Sequence, residues 1–148
     1  LGTAGAIKNA EGFIRSNPFL VVNGDSICEI DLKDFLEFHC DKGAFASMAL
    51  VAPMAESDYG VVKLDKDNRI IGFSEKEMPC FGSYINAGMY LFDKKIIECI
   101  PPHKVFALEY DLFPSILNER LFGYVAAGKL IDIGTPERYR SASKVLNQ

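Results

Sequence analysis

Short apolar segments of strand length alternate with segments of helical periodicity, and this alternation restricts the fold of the chain more than any other feature. The segments Phe19–Val22 and 45–52 are rich in apolar residues, a pattern typical of strands that helices cover on both faces. Between these segments, Asp31 can cap a helix that ends near Gly43. We therefore predict a three-layer α/β domain with a mixed, mostly parallel sheet.

Further patterns complete the predicted order of elements. Residues 4–16 carry apolar side chains at helical spacing, and the predicted helix ends before Pro18. Residues 60–64 and 69–73 flank a polar turn and predict a hairpin. The rest of the chain predicts a strand over 83–92, helices over 94–99 and 108–118, strands near 121–125 and 129–133, and a closing helix with Thr135 as its N-cap.

Length and charge narrow the class of protein. The 148 residues suffice for one domain, and 16 Lys and Arg residues against 20 Asp and Glu residues make the chain mildly acidic. Nucleic acid is an unsuitable partner, because its recognition requires clustered basic residues. No apolar run reaches the ~18 residues of a membrane span, and no signal peptide is recognised. We therefore expect a cytoplasmic protein without a membrane partner.

Cysteine and histidine residues form no metal-binding pattern in the sequence. The four cysteines lie far apart and include no CxxC pair, so we expect reduced thiols. His39 and His103 lie at no zinc-ligand spacing to them, and we predict that both are surface residues. The cysteines are Cys28, Cys40, Cys80 and Cys99.

Two carboxylates directly follow short apolar segments. Asp25 lies in the NGDS turn after Phe19–Val22, and Asp132 lies beside Gly134 just before the closing helix. Ligands of open α/β sheets bind beyond the carboxyl ends of the strands. If the two carboxylates converge, they would suit Mg²⁺, which takes few protein oxygens and keeps water and phosphate as its other ligands. The alternative is structural, with Asp25 as a turn residue and Asp132 as a cap of the last helix.

Six short strings in the sequence point to one family. In chain order they are LGTAGAIK, VVNGDS, YGVV, FSEK, INAGMYLF and IDIGTPERY. Together they resemble the sugar-1-phosphate nucleotidyltransferase family over essentially the whole chain. The resemblance implies a Rossmann-like three-layer fold and the reaction of an NTP with a sugar 1-phosphate to give an NDP-sugar and pyrophosphate. The second half is most similar to the short guanylyltransferases for heptose or mannose 1-phosphate, which implies GTP as the nucleotide and cell-surface polysaccharide as the use of the product.

The resemblance also implies roles for individual residues. It makes Asp25 and Asp132 the catalytic carboxylates that bind Mg²⁺, and Lys76 the catalytic cation that faces the sugar phosphate. Glu75 is the implied acceptor for sugar hydroxyl groups. The residues implied at the nucleotide are Leu1, Gly2, Thr3, Ala4, Gly5, Asn23 and Gly24. The residues implied at the sugar are Tyr59, Gly60, Glu75, Asn86, Ala87 and Gly88.

Physical arguments accompany some of these implied roles. Gly2 and Gly5 would let main-chain groups approach the edge of a purine, and amides at the start of the following helix would suit an anion. Asn86 lies in an apolar strand, where its amide needs hydrogen-bond partners that a ligand or the neighbouring strand could supply. Glu75 and Lys76 could instead belong to a solvated charge run at a strand end.

Four nearby residues are assigned to the structure rather than to the site. Tyr90 and Phe92 are predicted to be core aromatics. Glu109 and Asp111 are predicted to favour the N-terminus of the helix over residues 108–118.

One part of the family pattern is missing from the sequence. Family members open with a strand and a glycine-rich loop of the form GGxGTR, and neither occurs in residues 1–148. We therefore expect a single domain, truncated at its amino terminus and inactive by itself. The alternative function is a non-catalytic module of the same fold that binds sugar nucleotides or is regulatory. A homo-oligomer formed through an exposed strand edge is left open.

Overall fold

The computed structural model describes residues 1–53, 60–74 and 82–146. Its strands are β1 (Phe19–Val22), β2 (Ser26–Cys28), β3 (Ala46–Val51), β4 (Val61–Leu64), β5 (Ile70–Ser74), β6 (Ser83–Phe92), β7 (Leu121–Val125) and β8 (Leu130–Asp132). Its helices are α1 (Thr3–Asn9), α2 (Leu32–Asp41), α3 (Phe113–Ser115) and α4 (Pro136–Leu146). Two 3₁₀ helices (Glu11–Phe13 and Lys94–Cys99) and a π-helical turn (Leu108–Leu112) complete the order.

The main sheet has six strands and is organised around the long strand β6. Five strands follow the order β5-β4-β6-β3-β7, and β1 also pairs with β6. The carboxyl half of β6 pairs with β1, its amino half pairs with β4, and β3 runs along its other edge. Among the described strand pairs, only β3 and β7 are parallel. The predicted mixed sheet is therefore confirmed, but it is not mostly parallel, because β6 runs antiparallel to all three of its neighbours.

Strand β1 is less covered than its apolar sequence predicts. Within the described residues it pairs with β6 along one edge, and Leu20 and Val22 are 43% and 47% exposed. The prediction that helices cover both of its faces is therefore wrong. The same prediction is confirmed for β3, in which every residue from Ala46 to Val51 is buried.

The core lies on both faces of the sheet, as a three-layer fold requires. Alternate residues of β3 point to opposite faces, so Met48 packs in one hydrophobic cluster and Ala49 in the other. The first cluster includes Tyr90 and Phe92, which stack with ring centroids 5.6 Å apart and confirm their prediction as core aromatics. The second includes Phe35 of α2.

His39 lies in α2 and is a buried residue, which corrects its prediction as a surface residue. Its side chain is 4% exposed, and Nδ1 lies 2.9 Å from the hydroxyl of Ser47 on β3. The helical spacing of His39 relative to Phe35, four residues earlier, places both on the face that packs against the sheet.

The predicted helix boundaries hold where capping residues mark them. Asp31 accepts hydrogen bonds from the amides of Lys33 and Asp34 at the start of α2, and Thr135 accepts one from the amide of Arg138 at the start of α4. The helix predicted over residues 108–118 is instead a π-helical turn followed by α3, which ends at Ser115. Pro114 explains the interruption, because it has no amide hydrogen for a continuous helical ladder. None of the helices in the described ranges is both long and apolar enough to cross a membrane.

A second, two-stranded sheet stands beside the main one. Strands β2 and β8 pair antiparallel, with Ser26 opposite Asp132. We call this pair the β2–β8 ribbon. It joins the turn after β1 to the segment that leads into α4, and it therefore positions the two carboxylates predicted from strand ends.

Candidate active site

The β2–β8 ribbon brings Asp25 and Asp132 together. Asp25 immediately precedes β2, and its carbonyl accepts a hydrogen bond of 2.8 Å from the amide of Ile133. A Cβ atom placed on Gly134 would lie 3.1 Å from Oδ1 of Asp132 and 3.4 Å from Oδ2 of Asp25. The two carboxylates thus face one point in space, which is the convergence that a shared cation requires.

Asp132 is held in place by the segment that follows it. Its Oδ1 accepts a hydrogen bond of 2.7 Å from the amide of Gly134, and its Oδ2 forms an ion pair of 2.6 Å with Arg138 of α4. The side chain of Asp132 is 15% exposed, whereas Asp25 is exposed. The N-cap of α4 is Thr135, so Asp132 does not serve as the cap that the structural alternative assigned to it.

The donor set at this point fits Mg²⁺. Asp25 just before β2 and Asp132 at the end of β8 supply hard oxygen ligands. Mg²⁺ commonly takes one or two protein carboxylates while retaining water and phosphate. The described residues contain no group of three or more His, Cys, Asp or Glu side chains that could hold a metal ion. Asp25 and Asp132 would therefore act as a pair, and their role as metal ligands stays a prediction.

A cavity of about 210 Å³ opens in the first face of the sheet, between β4, β5, β6 and the π-helical turn. Gly60 and Asn86, both implied at the sugar, line it together. Much of the remaining wall is apolar and includes Val62, Phe73 and Phe113. The structure thus brings two of the implied sugar-binding residues to one cavity with an apolar wall and few polar groups, as is usual for small-molecule sites.

The Asn86 amide finds its hydrogen-bond partners within its own strand. Nδ2 donates to the hydroxyl of Tyr90 at 2.8 Å, and Oδ1 accepts from the amide of Gly88 at 2.9 Å. The sequence left open whether a ligand or the neighbouring strand supplies the hydrogen-bond partners of this amide. Neither is needed for the Nδ2 and Oδ1 contacts described here. The bonds fix the orientation of the amide at the wall of the cavity.

Gly88 lies where β6 becomes irregular and approaches the turn after β1. Its φ of +72° is in the left-handed region, and the β3–β6 register shifts opposite this segment, between Met48 and Leu50. Its carbonyl accepts a hydrogen bond of 2.8 Å from the amide of Asn23, and a Cβ atom on Gly88 would lie 3.0 Å from Nδ2 of Asn23. One residue implied at the nucleotide and one implied at the sugar therefore meet here.

Other implied residues lie apart from these contacts. The Ala87 side chain packs in the hydrophobic cluster on the opposite face of the sheet, so only its main chain can take part in sugar binding. Gly24 is an exposed residue of the turn before Asp25. Tyr59, Glu75 and Lys76 lie outside the described residues.

The first string of the sequence packs against residues 104–106. Gly2 has φ +72°, and a Cβ atom there would lie 2.5 Å from the Phe106 carbonyl oxygen. A Cβ atom on Gly5 would lie 3.0 Å from the Lys104 carbonyl oxygen. The structure thus shows that both glycines allow the main chain of residues 104–106 to approach closely. This reason differs from the predicted approach of a purine.

The amide of Gly5 donates to the Phe106 carbonyl at 3.0 Å, so this helix-start amide is already used within the protein. Ala4 is fully buried, while Leu1 and Thr3 are exposed. Nucleotide binding by these residues stays a prediction.

Glu109 is the site residue that sequence reasoning missed. It was assigned to a helix N-terminus together with Asp111, and for Asp111 this is confirmed by a hydrogen bond of 2.7 Å from the Ala107 amide. Glu109 instead lines the cavity. The signal for it was present, since in the predicted helix Glu109 shares a face with the apolar residues Leu112 and Phe113.

Comparison with known proteins supplies the family. The family model described as nucleotidyl transferase matches residues 1–148. The chain belongs to the nucleotidyl transferase family. This confirms the resemblance carried by the six sequence strings.

Relatives within the nucleotidyl transferase family include sugar-phosphate guanylyltransferases. The chain is 37% identical over 148 residues to the D-glycero-alpha-D-manno-heptose 1-phosphate guanylyltransferase of Aneurinibacillus thermoaerophilus, covering 99% of this chain and 63% of that protein. It is 34% identical over 142 residues to the mannose-1-phosphate guanylyltransferase of Mycobacterium tuberculosis, covering 94% of this chain and 40% of that protein. The chain thus spans between two-fifths and two-thirds of the length of these relatives.

Solved structures confirm the three-layer, Rossmann-like nucleotidyltransferase fold. The crystal structure of HddC from Yersinia pseudotuberculosis has a TM-score of 0.83 and 37% identity, covering 99% of this chain and 63% of that chain. A second structure of HddC, in complex with GMP-PN, has a TM-score of 0.82 and 36% identity, again with 99% and 63% coverage.

Proposed function

We propose that the protein containing this chain is a Mg²⁺-dependent sugar-1-phosphate guanylyltransferase. It transfers GMP from GTP to a heptose or mannose 1-phosphate and produces a GDP-sugar and pyrophosphate. Family membership supports nucleotidyl transfer, and the printed names of the heptose and mannose relatives support the choice of guanine nucleotide and sugar.

The observation that carries this proposal is the convergence of Asp25 and Asp132 near Gly134. Two ionised carboxylates directed toward one point favour the binding of a positive charge, because like charges at short distance are unfavourable. Arg138 compensates one of them, and a divalent cation would compensate both. When bound, Mg²⁺ neutralises negative charge on the phosphate groups, which is a main requirement of phosphate-transfer chemistry.

The chain's own residues would bring the two substrates together. The sugar ring lies in the cavity beside Asn86, and the guanine nucleotide lies beyond the end of β1. Asn23, two residues before Asp25, contacts Gly88, two residues after Asn86, and this contact joins the two regions. Such an arrangement favours in-line attack of the sugar phosphate oxygen on the α-phosphorus, since positioning supplies much of the rate.

Several further assignments belong to this proposal. Lys76 faces the sugar phosphate, and Glu75 and Tyr59 contact the sugar. The first string, with Asn23 and Gly24, borders the nucleotide. Residues 1–148 form one nucleotidyltransferase domain. The protein works in the cytoplasm, and its product serves surface polysaccharide synthesis. The outer edge of β1 has no strand partner among the described residues. An unpaired strand edge can pair with a second copy of the chain, and this supports a homo-oligomer.

A pyrophosphate-release assay tests the proposed function. The full protein, expressed from its native coding sequence, is incubated with Mg²⁺ and each combination of four NTPs with mannose, heptose and glucose 1-phosphates. We expect release with GTP and a manno-configured sugar, and a loss of at least ~100-fold in turnover for Asp25→Asn. Binding of GDP-sugar without any pyrophosphate release would contradict the proposal and favour the non-catalytic module.

A further inference from the structure

Glu109 is the one formally charged side chain among the described residues that line the 210 Å³ cavity. It lies half-buried at the start of the π-helical turn, beside the exposed ring of Tyr110. The rest of the lining includes apolar groups such as Val62 and Phe73. A ligand in this cavity would therefore meet both a carboxylate and an apolar surface.

Both oxygens of the Glu109 carboxylate are held by hydroxyl groups of the protein. Oε1 accepts from the hydroxyl of Tyr90 at 3.3 Å, and Oε2 accepts from the hydroxyl of Thr3 at 3.5 Å. The Thr3 hydroxyl in turn accepts from the amide of Leu108 at 2.8 Å, and the Tyr90 hydroxyl accepts from Asn86. The side chain of Asn23 forms a further hydrogen bond with the Tyr90 hydroxyl. The donors Leu108 and Asn86 leave the hydroxyl hydrogens of Thr3 and Tyr90 for the carboxylate.

The environment of Tyr90 keeps this direction fixed. Burial, followed by the nearby Glu109 carboxylate, raises the pKa of Tyr90 well above its ordinary value. The phenol therefore remains protonated and continues to donate to Glu109. An ionised carboxylate has about four acceptor sites, and these two hydroxyl groups use one site on each oxygen, so the carboxylate retains acceptor capacity for a ligand.

The chemistry of the cavity selects the kind of ligand that Glu109 can accept. A carboxylate repels phosphate, so the phosphate end of a substrate would lie away from Glu109. A sugar ring presents hydroxyl donors along its edge and C–H groups on its faces. These match the carboxylate with the Asn86 amide, and the apolar lining, respectively.

We propose that Glu109 is a sugar-binding residue whose carboxylate accepts hydrogen bonds from ring hydroxyl groups, and that Tyr90 is the residue that positions it. The inference rests on the proposed function and deepens it, because it names a residue that selects hydroxylated substrates. Asn86 and Glu109, joined through Tyr90, would form the polar side of the sugar pocket.

The test compares sugar 1-phosphates that lack one hydroxyl group at a time. Dissociation constants for mannose 1-phosphate and its 2-, 3-, 4- and 6-deoxy analogues are measured by calorimetry with the full protein. A site built to hydrogen-bond a hydroxyl rejects the analogue without it. We expect wild-type protein to bind at least one deoxy analogue about tenfold or more weakly than the parent, and Glu109→Gln to reduce that ratio to roughly twofold.

Two variants separate binding from structure. Tyr90→Phe keeps the ring and removes the hydroxyl, and it should reduce the same ratio partly while the KM for GTP stays unchanged. Glu98→Gln removes an equal charge at an exposed site and should keep the wild-type ratio. If Glu109→Gln weakens the parent and all analogues equally, Glu109 is structural and the inference is wrong.

The same measurements distinguish this inference from the proposed function. Selective binding of the parent sugar phosphate that depends on Glu109, without pyrophosphate release, would contradict guanylyl transfer and support the inference. If pyrophosphate is released and Glu109→Gln keeps the wild-type ratio of binding between the parent and the deoxy analogues, guanylyl transfer is supported and the inference is wrong. If the wild-type protein binds no sugar phosphate, both are wrong.

Discussion

His39 is a buried imidazole whose protonation is coupled to folding. Desolvation lowers its pKa from the ordinary value of 6.5, although the carboxylate of Asp93 opposes the shift. The folded state therefore binds fewer protons than the unfolded chain just below pH 6.5. Stability contributed by neutral His39 is present above that pH and is lost as the pH falls below it.

This coupling predicts a specific pH dependence of the free energy of unfolding. Urea denaturation of the full protein at pH 7.5, 6.5 and 5.5 should show a decrease at the lowest pH that is smaller in His39→Gln. The matched control is His103→Gln, since His103 is exposed and should leave the pH dependence unchanged. Equal pH dependence of wild type and His39→Gln would contradict the coupling.

At the residue scale, sequence patterns predicted some contacts and missed others for a physical reason. Asp25 and Asp132 could be singled out because each follows a short apolar segment beside glycine, and the structure brings them together. Helical spacing places Glu109 on the apolar face of its predicted helix, but the hydrogen bond between Glu109 and Tyr90 has no such signal in the sequence. Their hydrogen bond joins β6 to the π-helical turn, and a local pattern contains no information about which distant segment packs against a strand.

At Gly88, the backbone of strand β6 departs from regular geometry beside the proposed site. An alanine there would adopt an unfavourable φ of +72° and bring Cβ within 3.0–3.2 Å of the Asn23 side chain. We expect Gly88→Ala to lower the free energy of unfolding by about 1–3 kcal/mol and to weaken the binding of sugar phosphate. Urea denaturation and calorimetry measure the two effects.

Gly72 provides the matched control for this substitution. It lies in β5, has no positive φ, and a Cβ atom there meets nothing within 4 Å. Gly72→Ala should therefore change the free energy of unfolding by less than about 0.5 kcal/mol. If the two alanine variants are equally stable, the strained conformation at Gly88 has no energetic weight and our account of the β6 irregularity is wrong.

At the element scale, periodicity predicted the positions of strands and helices in the sequence better than the relative directions of paired strands. The hairpin, the strand Ser83–Phe92 and the two capped helices follow from alternation, turn residues and N-caps. The direction of β6 does not, because an apolar strand has the same composition whether its neighbours are parallel or antiparallel. The coverage of β1 was overestimated for a related reason, since four apolar residues do not reveal how many edges are paired.

At the scale of the whole molecule, a cation shared by Asp25 and Asp132 should stabilise the native state by linkage. Ligands that bind only the folded protein add RT ln(1 + [L]/Kd), about 2.7 kcal/mol at a hundredfold excess over Kd. We expect Mg²⁺ with GTP to raise the Tm of the full protein by several degrees. In Asp25→Asn, the increase should be less than half of the wild-type value.

Thermal unfolding with and without Mg²⁺ at constant GTP measures this effect directly. Glu29→Gln is the control, because Glu29 is an exposed carboxylate just beyond β2 and carries the same charge as Asp25. It should respond to Mg²⁺ as the wild-type protein does. A Tm increase in Asp25→Asn equal to that of the wild type would show that this carboxylate does not hold the cation.

The family of the protein was predictable from its sequence, because six strings occur in the order typical of that family. The family match confirms this prediction. The cavity was not predictable. Its wall combines residues of β4, β5, β6 and the π-helical turn, and its shape depends on how those elements pack. Local propensity does not determine such packing, so the sequence indicated the kind of site, and only the structure shows the cavity that we propose for the sugar.

The β2–β8 ribbon has a consequence for protein synthesis. Asp25 leaves the ribosome before most of the sheet exists, whereas β8 follows only after β7 has been translated. Closing so long a loop adds little entropic cost beyond that of a shorter one, since each doubling in length adds only about 0.6 kcal/mol. The delay is instead one of translation time. Until β8 emerges, nascent chains expose β2 as an unpaired edge, and they are the form in which chaperones would first encounter this protein.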